Sequence, residues 1–244
     1  MNVNHSGARV LVIIAAYNEE ENIFRTVSNL TSHYPEYDYV VINDGSTDNT
    51  LQILEEYHFN YVNLPVNLGI GGAVQTGYLY ARDQGYDIAV QMDGDGQHDP
   101  AYIGALIAPI ESGVADYVIG SRFIDKEGFQ STGIRRTGIC FLSGLIRLLT
   151  GRHVLDVTSG FRAVNRYFIE KFAEDYPIDY PEPKAIMDAV MSGREVHEVP
   201  VKMRERKGGR SSITFWKSAY YMIKVSLDIL ICRISLSFRD REKK

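Results

Sequence analysis

The sequence predicts an α/β fold in which helices cover a mostly parallel central sheet. Short apolar runs of strand length alternate with segments of helical length along the chain, and polar clusters follow several of the runs where strands would end. The chain has 244 residues, of which 45% are hydrophobic and 23% are charged. This length and composition favour one large domain with a substantial core.

The alternation assigns the elements in order. Val10 to Ala16 is an unbroken apolar run and predicts the first strand. Further strands are predicted over 39–43, 61–64, 87–92 and 116–120, and helices over 20–32, 46–57, 71–84, 102–112 and 134–150. Ser46 or Thr47 is expected to cap the second helix, because hydroxyl oxygens accept hydrogen bonds from free amides at a helix start.

Charge and cysteine content exclude several classes of function. The net charge of −5 disfavours a nucleic-acid-binding protein, although the segment 202–210 is strongly basic. Cys140 and Cys232 form neither a disulfide framework nor a zinc cluster. The polar residues before Val10 do not resemble a secretory signal. We therefore expect a cytoplasmic protein.

The segment 91–98 has the sequence Gln-Met-Asp-Gly-Asp-Gly-Gln-His and predicts a metal site. Asp93 and Asp95 follow a predicted buried strand, and Mg²⁺ commonly takes one or two carboxylates and completes its shell with water and phosphate oxygens. Gly94 and Gly96 permit the close approach of a ligand. The alternative is a polar turn after a strand, which matches the same short pattern.

Two other polar clusters follow predicted strands, and all three are expected at the carboxyl edge of the sheet. Tyr17, Asn18 and Glu19 follow the first strand, and Asp44 and Gly45 follow the second. The carboxylate of Asp44 is suited to accept a hydrogen bond from a base N–H, and Tyr17 offers a ring for stacking. Together they favour a nucleobase site.

The glycine-rich segment 67–74 resembles a dinucleotide-binding loop only superficially. It follows the third strand instead of the first, and Val74 occupies the position of the last small residue. Its simplest interpretation is the start of a helix that lines a donor site.

These segments together resemble a family-2 glycosyltransferase of the GT-A (Rossmann-like) fold, and most closely the polyprenyl-phosphate glycosyltransferases, the dolichyl-phosphate mannose synthase group. The matching segments occur in family order at 16–20, 41–48, 67–69, 91–98, 120–122 and 156–162. The resemblance covers about residues 10–210. It implies inverting, Mg²⁺- or Mn²⁺-dependent transfer of a hexose from a nucleotide sugar to a polyprenyl phosphate for cell-envelope glycan synthesis.

The resemblance also implies a set of donor-binding residues. The metal would be held by Asp93 and Asp95, with Gln97 as a further ligand. The nucleotide sugar would contact Ala16, Tyr17, Asn18, Glu19, Asp44, Gly45, Asn67, Gly71, Asp93, Gly94 and Asp95. A UDP-sugar is favoured as the donor and GDP-mannose stays open, because uracil and guanine both present an N–H to a carboxylate.

The second half of the chain is expected to bind the acceptor. Guanidinium groups bind phosphate oxygens in pairs. The expected acceptor-binding residues are Arg122, Arg135, Arg136, Ser159, Arg162, Arg206 and Arg210. The expected catalytic residues are Asp156, Asp95 and Arg122. Asp156 has two interpretations: a general base, or an electrostatic partner of Arg162 or Arg122.

The basic loop 204–212 is expected to close over the donor diphosphate, with Gly208 and Gly209 as its hinge. Two positions depart from the family pattern: Ala15 replaces a common proline, and Lys184 replaces an acidic residue. Lys184 keeps open a catalytically weak nucleotide-sugar-binding scaffold. Transfer to a saccharide hydroxyl is a second alternative, and it would require a general base.

The chain divides into a predicted catalytic domain, 1–212, and a C-terminal segment, 213–244. That segment mixes aromatic, aliphatic and basic residues without a spanning apolar run. It predicts an amphipathic helix lying at the inner face of the cell membrane. The alternatives are that this helix packs on its own domain, within a homo-oligomer or against a small membrane-protein partner.

Overall fold

A computed structural model describes residues 7–128, 133–179, 181–205, 224–227 and 230–231. These residues form a seven-stranded sheet with strand order β3-β2-β1-β4-β6-β5-β7. The strands are β1 Val10–Ala16, β2 Asp38–Asn43, β3 Tyr61–Asn63, β4 Ile88–Asp93, β5 Tyr117–Ser121, β6 Arg162–Asn165 and β7 Val196–Pro200. The predicted α/β class and the five strands predicted from apolar runs are confirmed within one or two residues at each end.

Seven helices are described beside the sheet, with a short 3₁₀ turn before the fourth. They are α1 Ile23–His33, α2 Thr50–Glu56, α3 Gly69–Asp83, α4 Ile103–Glu111, α5 Gly133–Thr150, α6 Arg166–Glu174 and α7 Pro181–Met191. The prediction that α2 begins near Ser46 with a hydroxyl cap was wrong. Helix α2 begins at Thr50, and the side chain of its N-cap residue, Asn49, makes no capping bond. The Thr50 amide donates to the Asp48 carboxylate at 2.9 Å, while Ser46 and Thr47 bond to Asn18.

The sheet is parallel except around β6. Strand β6 lies between β4 and β5 and runs antiparallel to both, whereas the other neighbouring strands are parallel. Because β6 separates β4 from β5, the segment Asp156–Phe161 that precedes β6 is brought beside the end of β4. No apolar run predicts this four-residue strand, which begins with Arg162.

Two apolar layers cover the sheet. One face of the sheet packs against α3, α5, α6 and α7, and the other face packs against α1, α2 and α4. Strands β1 and β4 are buried on both faces, as expected for central strands of a parallel sheet. Their carboxyl ends are consequently rigid supports for the loops that follow.

Only six residues of the predicted C-terminal segment lie within the described residues. Residues 224–227 are helical, the side chain of Val225 is 2% exposed within the core, and Lys224 pairs with Asp179. At this point the segment packs on its own domain, whereas Leu227 and Ile231 are exposed. Among the helices that the structure describes, none has the length and apolar character needed to cross a bilayer.

Candidate functional site

The carboxyl end of β1 lies between Asp44 and Asp93. Asp93 is the sheet partner of Ala15, and the amide of Gly94 donates to the Ala15 carbonyl at 2.9 Å. On the other side of β1, the amide of Asp44 donates to the Ala16 carbonyl at 2.9 Å. Neighbouring parallel strands thus bring the three polar clusters to one crevice, at the carboxyl edge where open α/β sheets bind their ligands.

Asn18 joins the loops after β1 and β2. Its side-chain oxygen accepts from the Thr47 amide at 2.8 Å, and its own amide donates to the Ser46 hydroxyl at 2.9 Å. Asn18 has φ +54°, a left-handed conformation that Asn tolerates better than most residues. Asn18 therefore shapes the crevice by holding the loop after β2 against the loop after β1. Tyr17, beside it, is 45% exposed.

Glu19 is buried at the start of the helix that follows β1. Its amide donates to the Thr50 hydroxyl at 2.8 Å, and its carboxylate accepts from Asn22 at 2.9 Å. These two bonds tie the α1 and α2 starts together. Glu19 thus supports the loop that carries Tyr17.

Asp44 is almost fully buried at the end of β2. One carboxylate oxygen accepts from the Leu68 amide at 2.7 Å, and Asn67 donates to the Asp44 carbonyl at 3.1 Å. Burial raises the pKa of the Asp44 carboxyl, while the amides of Leu68 and Gly69 act in the opposite direction. A carboxylate held by backbone amides at a strand end is suited to accept a further hydrogen bond from a nucleoside N–H or hydroxyl.

Close packing explains why two positions of the predicted donor site are glycines. Gly45 has φ +63°, and a Cβ there would lie 2.7 Å from the Asn67 backbone. At Gly71, a Cβ would lie 2.2 Å from the carbonyl oxygens of Pro177 and Ile178. Gly71 is therefore a closely packed buried position in α3, and this packing, not an open face toward a nucleotide, accounts for the glycine.

Asp93, the last residue of β4, and Asp95, in the loop that follows it, are both partly exposed. The Asp93 side chain is 37% exposed, and one oxygen of Asp95 accepts from the Gln97 amide at 3.0 Å. The Asp93 amide donates to Nδ1 of His98 at 3.0 Å. Burial lowers the pKa of His98 to about 4, so its ring is neutral at pH 7 and accepts this bond.

The carboxylate oxygens of Asp93 and Asp95 are suitable ligands for a hard divalent cation. Within the described ranges no cluster of three or more His, Cys, Asp or Glu residues is present, so the protein offers the pair Asp93 and Asp95. Mg²⁺ is typically held by one or two carboxylates together with substrate phosphates and water. A cation at this pair would accordingly be completed by oxygens from a bound diphosphate.

Gln97 connects the loop after β4 to the segment after β7. Its side-chain nitrogen donates to the Arg204 carbonyl at 3.3 Å, and the Arg204 amide donates to the Gln97 carbonyl at 2.9 Å. Arg204 in turn pairs with Asp99 at 2.6 Å. The amide nitrogen of Gln97 is thus used within the protein, which leaves its side-chain oxygen for the predicted metal contact.

Arg122 and Asp156 form a buried bidentate pair. Nε and one terminal nitrogen of Arg122 each lie 2.7 Å from a different oxygen of Asp156, and the Arg122 amide donates to the same carboxylate at 3.1 Å. Asp156 is fully buried. Of its two interpretations, the structure favours the electrostatic partner: a carboxylate engaged in this way and closed to solvent is poorly placed to take a proton from an acceptor.

Arg162 and Ser159, which were predicted to bind the acceptor, have bonding partners in the interior of the protein. Arg162 is fully buried in β6, where its guanidinium donates to the Tyr117 hydroxyl and, at 2.7 Å, to the Ser159 carbonyl. The Ser159 hydroxyl donates to the Gly120 carbonyl at 2.6 Å. Both side chains serve the interior because β6 inserts between β4 and β5.

A basic cleft of about 280 Å³ lies beside Arg122, along α5. Its charged residues are Lys126, Arg136 and Arg147, with His153 nearby and Phe123 on the side toward Arg122. The Arg122 and Arg136 guanidinium carbons lie 5.4 and 5.6 Å from the Phe123 ring centroid. Of the predicted acceptor residues, Arg136 therefore lines an open cleft. The Arg135 side chain, Arg206 and Arg210 lie outside the described residues, as does the proposed hinge at 208 and 209.

Sequence reasoning missed several residues around Asp93. His98 and Gly160 lie against it, and Phe161 stacks on the His98 ring. Sequence reasoning also missed Lys126, Arg147 and His153, which line the basic cleft. His98 belongs to the same short motif as Asp93, which was the available signal. The other contacts depend on where β6 and α5 lie in the fold, and no local sequence pattern predicts those positions.

Comparison with known proteins agrees with this geometry. The family model described as "Glycosyl transferase family 2" matches residues 11–172. The UDP-N-acetylglucosamine–dolichyl-phosphate N-acetylglucosaminyltransferase of Methanococcus voltae is 35% identical over 79% of this chain and 84% of that protein. The undecaprenyl-phosphate mannosyltransferase of Micrococcus luteus is 30% identical over 84% of this chain and 88% of its own length.

The fold has solved counterparts. Glucosyl-3-phosphoglycerate synthase from Mycobacterium tuberculosis, in complex with Mn²⁺, UDP and glucosyl-3-phosphoglycerate, superposes with a TM-score of 0.71 at 20% identity, over 93% of this chain and 80% of that one. The same enzyme has also been solved with Mg²⁺ and UDP, and that complex has a TM-score of 0.69. At this identity the match establishes the GT-A fold alone. The family match and the similar relatives establish that this chain belongs to glycosyl transferase family 2, in the polyprenyl-phosphate group, and is a glycosyltransferase.

Proposed function

We propose that the protein transfers a hexose, with inversion, from a UDP-sugar to a polyprenyl phosphate for cell-envelope glycan synthesis, with GDP-mannose as the alternative donor. The observation that carries the donor half is the placement of Asp44 and Asp93 on opposite sides of the β1 end. The acceptor half rests on the named activities of the relatives from Methanococcus voltae and Micrococcus luteus, both of which act on polyprenyl phosphates.

The donor would lie across the end of β1. Asp44 would accept a hydrogen bond from the nucleoside, and the exposed ring of Tyr17 would stack on the base. Asp93 and Asp95 would hold Mg²⁺ or Mn²⁺ at the diphosphate. The bound cation supplies Lewis-acid stabilisation of the negative charge that develops on the leaving diphosphate.

The acceptor phosphate would enter the basic cleft on the α5 side. Arg136, Lys126 and Arg147 provide positive charge there, and the Arg122–Phe123 pair separates the cleft from Asp156. Attack of one phosphate oxygen on the anomeric carbon forms the new C–O bond while the bond from that carbon to the diphosphate oxygen breaks. A single displacement of this kind inverts the anomeric configuration.

This chemistry requires no strong general base. A phosphate monoester has a second pKa near 6 and carries close to two negative charges at pH 7. The buried, paired state of Asp156 therefore suits a phosphate acceptor better than a sugar hydroxyl, which must lose a proton as it attacks. For this reason we favour the lipid phosphate over transfer to a saccharide.

We also propose that the protein lies on the inner face of the cell membrane. Helix α5, which contributes Arg136 and Arg147 to the basic cleft, also exposes Leu148 (81%) and Phe141 (55%). Apolar side chains flanked by Arg and Lys are typical of helices that lie at the headgroup level. The predicted division into a catalytic domain, 1–212, and an interfacial segment, 213–244, belongs to the same proposal.

The experiment is a donor panel read by mass spectrometry of the lipid product. Purified protein is incubated with undecaprenyl phosphate, Mg²⁺ or Mn²⁺, and UDP-glucose, UDP-N-acetylglucosamine or GDP-mannose. One donor is expected to give a glycosylated lipid phosphate, and EDTA is expected to abolish it. Donor hydrolysis without lipid product, or transfer to a free saccharide instead, would contradict the proposal.

A further inference from the structure

We propose that Gly160 and His98 are positioning residues for the metal ligand Asp93: His98 holds its backbone amide, and Gly160 leaves room for its carboxylate. This inference rests on the proposed function, since it concerns the cation-binding carboxylate of that site. Gly160 lies in the Ser159–Arg162 segment, two residues of which, Ser159 and Arg162, were predicted to bind the acceptor. In the structure this segment supports the donor metal site instead.

His98 holds the backbone of Asp93. Its Nδ1 accepts from the Asp93 amide at 3.0 Å, and its Nε2 lies 3.7 Å from an Asp93 carboxylate oxygen. The ring is buried and stacks on Phe161, with centroids 4.8 Å apart and an interplanar angle of 9°. Because stacking on Phe161 holds the His98 ring in place, the ring in turn holds the Asp93 amide that donates to it.

Gly160 sets the space available to the Asp93 carboxylate. A Cβ built on Gly160 would lie 3.2 Å from each of the two carboxylate oxygens, which are its nearest neighbours. That distance is shorter than normal van der Waals contact between carbon and oxygen, so an added methyl group would push the carboxylate away by a few tenths of an ångström. Only glycine leaves the carboxylate in its present position.

The segment that carries Gly160 is firmly anchored. Arg162 donates to the Ser159 carbonyl at 2.7 Å, and the Ser159 hydroxyl donates to the Gly120 carbonyl at 2.6 Å. The Gly120 amide donates to the Phe161 carbonyl at 2.8 Å. Because both neighbours of Gly160 are bonded to the β5 end or to buried Arg162, the backbone of Gly160 cannot retreat from a new methyl group.

A displaced ligand weakens cation binding. Groups that orient metal ligands typically contribute 10- to 100-fold to metal affinity or activity. Mg²⁺ demands near-ideal octahedral geometry, so activity supported by Mg²⁺ should suffer most from a misplaced carboxylate. The expected signature is thus a change in metal dependence, which a general loss of stability would not produce.

The first test compares Gly160→Ala with Gly104→Ala, a control glycine in α4 where a Cβ would meet no atom closer than 3.7 Å. We expect Gly160→Ala to raise the Kd of Mn²⁺, measured by electron paramagnetic resonance in the presence of UDP, about 10-fold. It should also lower Mg²⁺-supported turnover more than Mn²⁺-supported turnover. Gly104→Ala should match the wild type in both measurements.

The second test uses His98, in case Gly160→Ala does not fold. Asn at this position places its side-chain oxygen where Nδ1 accepts, whereas Leu has a similar size and no acceptor. We expect His98→Asn to retain Mn²⁺ affinity within about threefold and His98→Leu to lose about 10-fold, with folding monitored by circular dichroism. Equal Mn²⁺ affinity in the two variants would overturn the role of His98.

The outcomes separate this inference from the proposed function. If the wild type shows no metal-dependent UDP binding or lipid product, the proposed function fails. If the wild type is metal-dependent and Gly160→Ala behaves as Gly104→Ala does, the positioning role fails while the proposed function stands.

Discussion

Arg122 holds both carboxylate oxygens of Asp156, with two nitrogen–oxygen distances of 2.7 Å, and Thr158 contributes its hydroxyl oxygen to the same guanidinium at 2.9 Å. Glu198 fixes the Asp156 backbone by accepting from its amide at 2.9 Å. The pair therefore locks the start of the Asp156–Arg162 segment to the end of β5. It links the basic cleft proposed for the acceptor to the end of β4 proposed for the donor.

Asp156→Asn should destabilise the protein. Removing one charge of a buried pair leaves the other uncompensated, and such losses amount to about 3 kcal/mol in the free energy of unfolding. Urea denaturation followed by circular dichroism measures this change. The double variant Arg122→Met, Asp156→Leu should recover part of the stability, because it removes both charges. A fully stable Asp156→Asn protein without turnover would instead indicate a general base.

Asp93→Asn should abolish most turnover while leaving the fold intact. The carboxylate is partly exposed, so its charge contributes little to packing, whereas a cation needs it directly. Loss of a group that only orients a metal ligand lowers activity by up to about 100-fold. Because Asp93 is the proposed ligand itself, we expect turnover with saturating Mn²⁺ to fall by at least that factor. Asp83→Asn, on the exposed surface of α3, is the matched control. Near-normal, metal-dependent turnover of Asp93→Asn would refute the metal assignment.

Asp44→Asn should stabilise the protein and weaken nucleotide binding. Burial raises the Asp44 pKa, so the folded state binds its proton more tightly than the unfolded state does. The Asp44 contribution to stability therefore declines as pH rises from the unfolded pKa through the folded one. The stability advantage of Asp44→Asn, measured by chemical denaturation, should grow over that interval. An advantage that is constant with pH, or a less stable variant at neutral pH, would count against this account.

Arg136→Gln should impair use of the acceptor alone. Arg136 lines the basic cleft and is exposed, so its removal costs positive charge without disturbing the core. We expect the KM for undecaprenyl phosphate to rise about 10-fold, which corresponds to roughly 1.4 kcal/mol for a charge-assisted phosphate contact, with the donor KM unchanged. Arg166→Gln, an exposed arginine on α6, is the control. An equal rise in the donor KM would place Arg136 elsewhere in the site.

Much of the fold could be predicted because it is encoded locally. The apolar runs of β1 and β4, and the last four residues of β2, are buried on both faces of the sheet. Such runs predict a strand without knowledge of their neighbours. Strand β6 was missed. It has only four residues, and it begins with Arg162, whose charge argued for a surface loop. Its burial depends on Tyr117 and Ser159, which a sequence pattern does not bring together.

The candidate site divides in the same way. Asp44 and Asp93 were predicted to share a crevice because parallel strands end at one edge, and the structure places them on either side of β1. The acceptor arginines could not be sorted from the sequence. Arg122, Arg136 and Arg162 have the same chemistry, and only their burial shows that Arg136 lines an open cleft, Arg122 pairs with Asp156 and Arg162 supports the interior.

By itself, the sequence determined the α/β class, the strand ends that carry polar residues and the pair Asp93 and Asp95, because each follows from the periodicity or residue type of a short segment. Only the tertiary structure decided which arginine neutralises Asp156, what packs against the Asp93 carboxylate and where the basic cleft lies. Those relationships join residues that are more than 30 positions apart, such as Arg122 with Asp156. They arise from the insertion of β6 beside β4, and the free energy of a buried charge depends on the partners that such an insertion supplies.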